Sequence, residues 1–234
     1  MDEMVLDVAS GFWTPLRRRD GLVILLTMVT GSVDAIGLLR LGGVFTSVMT
    51  GNMVFLGIAT ASRDGSIALH TGVAFLAYVI GSFLGARVAG HADGPEHLWP
   101  RPVVWALSLE LALMAVFAVW WEAAHGAPHT ATAYALLALN AAALGVQSAA
   151  VLRFGISGLS TTYLTGTLTQ FIAGLTKRGA GLQARSGLIL LGLIAGAALG
   201  ALVALHAPLI APVVPVGALL VVVVGAYLSF HRER

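Results

Sequence analysis

Apolar residues run along this chain in long unalternated stretches, and the polar positions fall at their edges or in a few sharp interruptions. Eight hydrophobic segments can be drawn, at about 21–40, 41–60, 68–91, 102–121, 131–152, 154–176, 185–206 and 209–230. A bilayer core of roughly 30 Å needs about 20 apolar residues per helical crossing, whereas membrane β-strands alternate over about 10 residues. The runs here are therefore helices. The breaks at Ala92–Pro102, Glu122–Thr130 and Lys177–Arg185 hold charge, Pro or Gly and read as loops. The first and second segments are joined only by Arg40-Leu41-Gly42-Gly43, and the fifth and sixth only by Arg153-Phe154-Gly155. Those joints are too short and apolar for ordinary exposed loops.

Composition agrees with the pattern. Of 234 residues, 58% are hydrophobic and 10% charged, with a mean hydropathy of +0.89; soluble domains carry about 25% charged residues. The lipid bilayer is the expected surrounding, and the length leaves room for six to eight crossings and no sizeable soluble domain. Arg17, Arg18 and Arg19 precede the first apolar run, with no small-residue cleavage site after it. An uncleaved first helix is expected rather than a signal peptide. The net charge of +2 arises from few residues at membrane edges and speaks to orientation, not to nucleic-acid binding.

The second half of the chain echoes the first. Val33 to Arg40 aligns with Val146 to Arg153 at an offset of 113, placing Gln147 opposite Asp34. After a two-residue insertion, Thr50-Gly51 aligns with Thr165-Gly166, Gly81 and Gly85 with Gly196 and Gly200, and His91 with His206, all at 115. The expected organisation is a cytoplasmic N-terminal segment at 1–20, a first membrane repeat at 21–123 and a second at 131–230. If one segment per half fails to cross, the second half is inverted relative to the first, as in many secondary transporters. With the second and sixth segments not crossing, the cytoplasmic side collects Arg17, Arg18, Arg19, Arg87, Arg101, Lys177, Arg178, Arg185, Arg232 and Arg234, and leaves Arg40, Arg63 and Arg153 outside. Eight crossings also obey the positive-inside rule, less well. The expected fold is thus an all-α integral membrane protein with two homologous halves of four segments each. It has six transmembrane helices and two broken or re-entrant segments, with seven or eight spanning helices as the alternative. Both termini are placed in the cytoplasm.

The interruptions carry the candidate chemistry. Leu41 to Thr60 is expected to enter the membrane, turn at Thr50-Gly51-Asn52 and return, each arm being about nine residues or roughly 13 Å. A turn at that depth is tolerated only when buried in protein or lining a watery cavity. Thr50 and Asn52 can cap the outgoing half-helix, and Gly51 permits the reversal. A half-helix N-terminus suits an anion or the negative end of a dipolar solute. With Thr165, Gly166 and Thr167 as its counterpart, the pair forms a candidate midplane site. The other reading is a continuous helix in which Thr and Gly serve packing.

An acid inside a helix faces a partner or a cavity. Asp34 can pair with Arg40 or Arg153, contact a substrate, or titrate as a proton-coupling group, and Glu110 invites the same question. Arg40 and Arg153 can line an anion path or end their helices at the interface. The Gly81/Gly85 and Gly196/Gly200 stripes are helix-packing faces, within the chain or in a homo-oligomer.

Seven histidines show no metal-ligand spacing, and the absence of Cys excludes disulfides and thiol chemistry. No nucleophile-elbow, P-loop or dinucleotide fingerprint is present. No metal, cofactor or enzymatic activity is expected.

The stretch Gly31-Ser32-Val33-Asp34-Ala35-Ile36-Gly37, followed by Gly43-Val44-Phe45 and Thr50-Gly51-Asn52, resembles the YoaK-like family of bacterial membrane proteins. That family has no known function, and the resemblance extends over most of the chain. It implies a polytopic inner-membrane protein and carries no activity with it. Transport of a small anion or polar solute is the first functional expectation. A non-transport interaction or assembly role is the second.

Overall fold

The structure, a computed structural model, describes residues 14–90, 98–154, 161, 164–175 and 180–230, with only the backbone of 180–183. Outside these lie residues 1–13, His91 and most of the 92–102 loop, Gly155, Lys177, Arg178, Arg232 and Arg234. The described elements are all helical: α1 (Pro15–Arg40), α2 (Met49–Ser62), α3 (Gly65–Ala89), α4 (Arg101–Ala123), α5 (Thr130–Leu152), α6 (Leu164–Leu175), α7 (Ala180–His206), a 3-10 turn (Pro208–Ile210) and α8 (Val213–Phe230).

Six of these stretches are long and apolar enough to cross a membrane: Pro15–Arg40, Gly65–Ala89, Arg101–Ala123, Thr130–Leu152, Ala184–His206 and Pro208–Phe230. Helices α2 and α6, of 14 and 12 residues, reach only about 21 and 18 Å at 1.5 Å per residue. Neither matches a hydrocarbon core of roughly 30 Å. Among the described residues, the second and sixth hydrophobic segments therefore hold no helix long enough to span.

Local signals explain most boundaries. Helix α1 starts behind Thr14, whose hydroxyl accepts from the Arg17 N–H, with Pro15 in its first turn. Helix α2 ends at Arg63, which adopts φ 56°, and Asp64 then caps α3 by accepting from the Ser66 and Ile67 N–H groups. The α4–α5 turn is closed by positive φ at His125 and Gly126. Trp121 at the end of α4 donates its indole N–H to the Pro208 carbonyl at 2.7 Å.

Tight packing follows from glycine. A Cβ on Gly196 would overlap the Met28 backbone, and one on Gly200 would meet Ser32, so α7 lies backbone to backbone on α1. Gly81 lies in the same way on Ala142, and Gly85 on Val146, joining α3 to α5. Gly31 and Gly145 return the contact, against Leu193/Ala197 and Tyr78/Ser82 respectively. The glycine stripes thus serve contacts within the chain. These contacts follow a spacing one residue different from the sequence alignment of α1 with α5. Met28 and Ala142, Gly31 and Gly145, and Ser32 and Val146 occupy matching positions 114 apart, while their partners on α3 and α7 are 115 apart. In this register Gln147 corresponds to Val33, not to Asp34.

Candidate functional site

The descent from α1 into α2 differs from the expected pair of helical arms. After Arg40 the backbone passes through Gly42 (φ 98°) and Gly43 (φ 73°), conformations that glycine adopts without a Cβ clash. Residues 41–48 then form no helix, and α2 begins at Met49. The reversal is therefore completed before Thr50-Gly51-Asn52, which lies within the first turn of α2. Neither Thr50 nor Asn52 acts as a cap; the N-cap is Val48, without a side-chain bond. Asn52 instead reaches back, accepting from the Phe45 N–H at 3.2 Å and donating to the Phe45 carbonyl at 2.7 Å. One amide thereby satisfies both polar backbone groups of a loop residue.

Asp34 supplies the other half of that loop's hydrogen bonding. Its Oδ1 accepts from the Thr46 N–H (2.8 Å), the Thr46 hydroxyl (2.7 Å) and the Ser47 N–H (2.9 Å), while Oδ2 accepts from the Ser47 hydroxyl (2.5 Å). The expected pairing with Arg40 or Arg153 is not made. Arg40 donates twice to the Ala204 carbonyl near the end of α7, at 2.6 and 3.1 Å. Arg153 ends α5, with its guanidinium beside Gly90. Four neutral donors provide the carboxylate's compensation, and loop N–H groups ahead of a helix form a natural anion cradle. The anion in this cradle belongs to the chain itself.

The second interrupted segment meets the same region through Gln147. Its amide nitrogen lies 2.9 Å from the Thr30 hydroxyl, 2.8 Å from the Thr161 hydroxyl and 3.3 Å from the Leu26 carbonyl. Thr161 stands 115 residues after Thr46, and these two threonines bond Gln147 of α5 and Asp34 of α1 respectively. Thr30 joins the two sets, bonding Gln147 while facing a cavity that Asp34 also faces.

That cavity has a volume of about 460 Å³ and lies between α1, the 45–48 loop, the start of α6 and α7. Its polar lining is Thr30, Asp34, Ser47 and Thr165; Leu38, Phe45, Val48, Leu164 and Leu193 are among its apolar walls. No Lys, Arg or His lines it among the described residues.

Of the expected site residues, Asp34 and Thr165 line the cavity and Gln147 lies behind its Thr30 wall. Thr50 is exposed and Gly51 packs on Phe45, both away from the cavity. Asn52 is fully buried as the loop's brace, and Thr167 is buried at 2% exposure in the first turn of α6. Gly166, beside Thr165, is half-buried and not part of the lining. Thr30, Thr46, Ser47 and Thr161 were missed. Their signal was present: Thr46 and Thr161 obey the same 115 offset as Thr50 and Thr165. Glu110 is fully buried in α4, with neither carboxylate oxygen partnered among the described residues, and it lies outside the cavity. Among the described residues, no group of three His, Asp or Glu side chains could hold a metal.

Comparison with known proteins places the chain. The family described as Protein of unknown function (DUF1275) matches residues 22–225. The chain belongs to this family. The UPF0700 transmembrane protein YoaK of Bacillus subtilis (strain 168) is 34% identical over 160 residues, which cover 68% of each chain. This family member is therefore a multi-pass membrane protein of the YoaK-like group, as its Val-Asp-Ala and Thr-Gly-Asn stretches suggested. No solved structure matches it.

Proposed function

We propose that this protein is an inner-membrane transporter or channel-like protein for a small polar solute, whose site is the cavity between the two interrupted segments. One observation carries the reading: Asp34 with Ser47 from the first segment, and Thr165 from the second, line a single cavity of about 460 Å³. Small-molecule sites usually occupy roughly 300–1,000 Å³ with a few polar groups in an apolar wall. Non-helical backbone at membrane depth is tolerated when it lines such a cavity.

The matching glycine contacts of α1 with α7 and of α5 with α3 support an inverted repeat. Three spanning helices per half would turn the second half over relative to the first. The distribution of Arg then supports cytoplasmic termini. Within the expected solute classes, a lining with a carboxylate and no basic side chain favours a neutral or positively charged polar solute over an anion. An assembly role finds less support, because the glycine stripes that could have docked a partner are occupied within the chain.

The chain has no cysteine, so Thr165→Cys and Leu38→Cys give clean reporters. Both are expected to react with a small aqueous thiol reagent in membrane vesicles, and access from one or both sides would distinguish carrier from channel. Failure of both to react from either side would remove the transport reading.

A further inference from the structure

We infer that the cavity binds a small organic cation: a protonated amine on a compact apolar body, with the amine seated at the free face of Asp34 Oδ2. This rests on the cavity proposed above as a solute site and names the class of its occupant.

The argument starts from the carboxylate's acceptor capacity. An ionised carboxylate is acceptor-only, and an oxygen with a single donor retains acceptor capacity. Oδ1 already receives three donors, whereas Oδ2 receives only the Ser47 hydroxyl. Acceptor capacity on Oδ2 is left, on a residue that lines the cavity. The occupant must therefore bring a donor. It must also be compatible with a negative charge that no lining cation offsets. Arg40, six residues along α1, is turned onto the Ala204 carbonyl of α7, and Arg153 lies at the end of α5 beside Gly90. An anion would meet like charge, whereas an ammonium group gains a charge-assisted hydrogen bond.

The remainder of the cavity sets the body of the ligand. Next to Asp34, Thr30 and Ser47 offer hydroxyl oxygens to a second ammonium hydrogen. Thr30 Oγ1 already donates to the Leu26 carbonyl and receives Gln147, and Ser47 Oγ spends its proton on Asp34. Both hydroxyls are thus committed as donors and have only acceptor capacity left for a ligand, which again selects a donor-bearing one. Beyond them the walls are apolar apart from Thr165, with Leu38, Phe45, Val48 and Leu193 facing the volume. A multiply charged or sugar-like solute would leave its hydroxyls unpaired there. A lipid tail would match these walls but would leave Oδ2 unused.

The test uses purified full-length protein in lipid nanodiscs and three probes that share one ring: benzylammonium, benzyl alcohol and benzoate. Thermal unfolding at increasing probe concentration is expected to give apparent affinities at least tenfold tighter for benzylammonium than for benzyl alcohol, with no response to benzoate. In Asp34→Asn the preference for benzylammonium over benzyl alcohol should collapse. Leu38→Trp, which fills the cavity from an exposed wall position one helical turn from Asp34 and leaves the carboxylate in place, should abolish the response and decides the matter if Asp34→Asn does not fold. Benzoate binding as well as benzylammonium, an equal response to all three probes, or a benzylammonium response surviving Leu38→Trp would overturn the inference. Cysteines that react at Leu38 and Thr165 without selective benzylammonium binding would sink the inference alone. Selective binding with neither cysteine reactive in vesicles would instead remove the transport reading and leave the site.

Discussion

Asp34 takes four hydrogen bonds on two oxygens, and two of them come from backbone N–H groups and fix the path of the chain outside its own helix. Removing the acceptor leaves buried donors unmatched, at about 1–3 kcal/mol each. Asp34→Ala is therefore expected to lower unfolding stability by more than about 3 kcal/mol, a large share of a typical 5–15 kcal/mol. Asp34→Asn retains one acceptor oxygen and should lose less; comparing the two by thermal unfolding in nanodiscs checks the ranking. Asn52→Ala should cost about 1–3 kcal/mol by freeing both Phe45 backbone groups. If Asn52 were a simple helix cap, Asn52→Asp would be tolerated. Here the substitution removes the donor to the Phe45 carbonyl, so Asn52→Asp should be as damaging as Asn52→Ala. Glu110 predicts the opposite sign. A buried carboxyl with no hydrogen-bond partner among the described residues bears a desolvation cost that no bond offsets. Glu110→Leu should thus unfold no earlier than the wild type.

At the scale of elements, contact surfaces were easier to read from the sequence than backbone paths. The i, i+4 glycines of α3 and α7 announced close packing, and each lies against a partner backbone. A leucine at Gly200 would force Ser32 and α1 away. Overpacking of this kind costs typically 1–3 kcal/mol and more when backbone must move, so Gly200→Leu is expected to lower the unfolding temperature sharply, while Gly57→Leu, with open space around the site, should not. The interrupted second segment was legible from Thr50-Gly51-Asn52, but the place of the reversal was not. The Gly42-Gly43 pair offers the φ freedom, and the loop's acceptor lies 12 residues upstream in α1. No local pattern in 41–60 records that partner. The 113 offset differs from the packing for a related reason: matching Asp34 to Gln147 follows polarity, whereas backbone packing obeys 114. One residue along a helix is about 100° around it. Asp34 consequently faces a cavity, while Gln147 faces Leu26 and Thr30.

The described residues include six stretches able to span and two helices too short to do so, which the Arg distribution and the brevity of the joints at Arg40 and Arg153 already favoured. Sequence length alone left seven or eight crossings open, since a run such as 41–60 has the composition of a span whether or not it holds a helix. Under the inverted arrangement, cysteines introduced at Arg63 and Arg101 should be labelled from opposite faces of the membrane. Labelling from the same face would reject that topology. The site was legible as residue types rather than as an assembly, because its parts come from positions as far apart as Thr30, Ser47, Thr165 and Leu193.

The bonds made by Asp34 and by Gln147 also differ in when they can form. Asp34 lies 12 and 13 residues from Thr46 and Ser47, so the first loop can close on its own carboxylate as soon as it has left the ribosome. Gln147 needs Thr30, 117 residues earlier, and can engage it only after the second half has entered the membrane. Short closures are entropically easier than long ones. The first half would then wait in the bilayer with its irregular loop already shielded, a folded template onto which the later half is threaded. Chains truncated after α4 should accordingly retain a protected 41–48 loop, while Gln147 meets Thr30 only on a first half already in place.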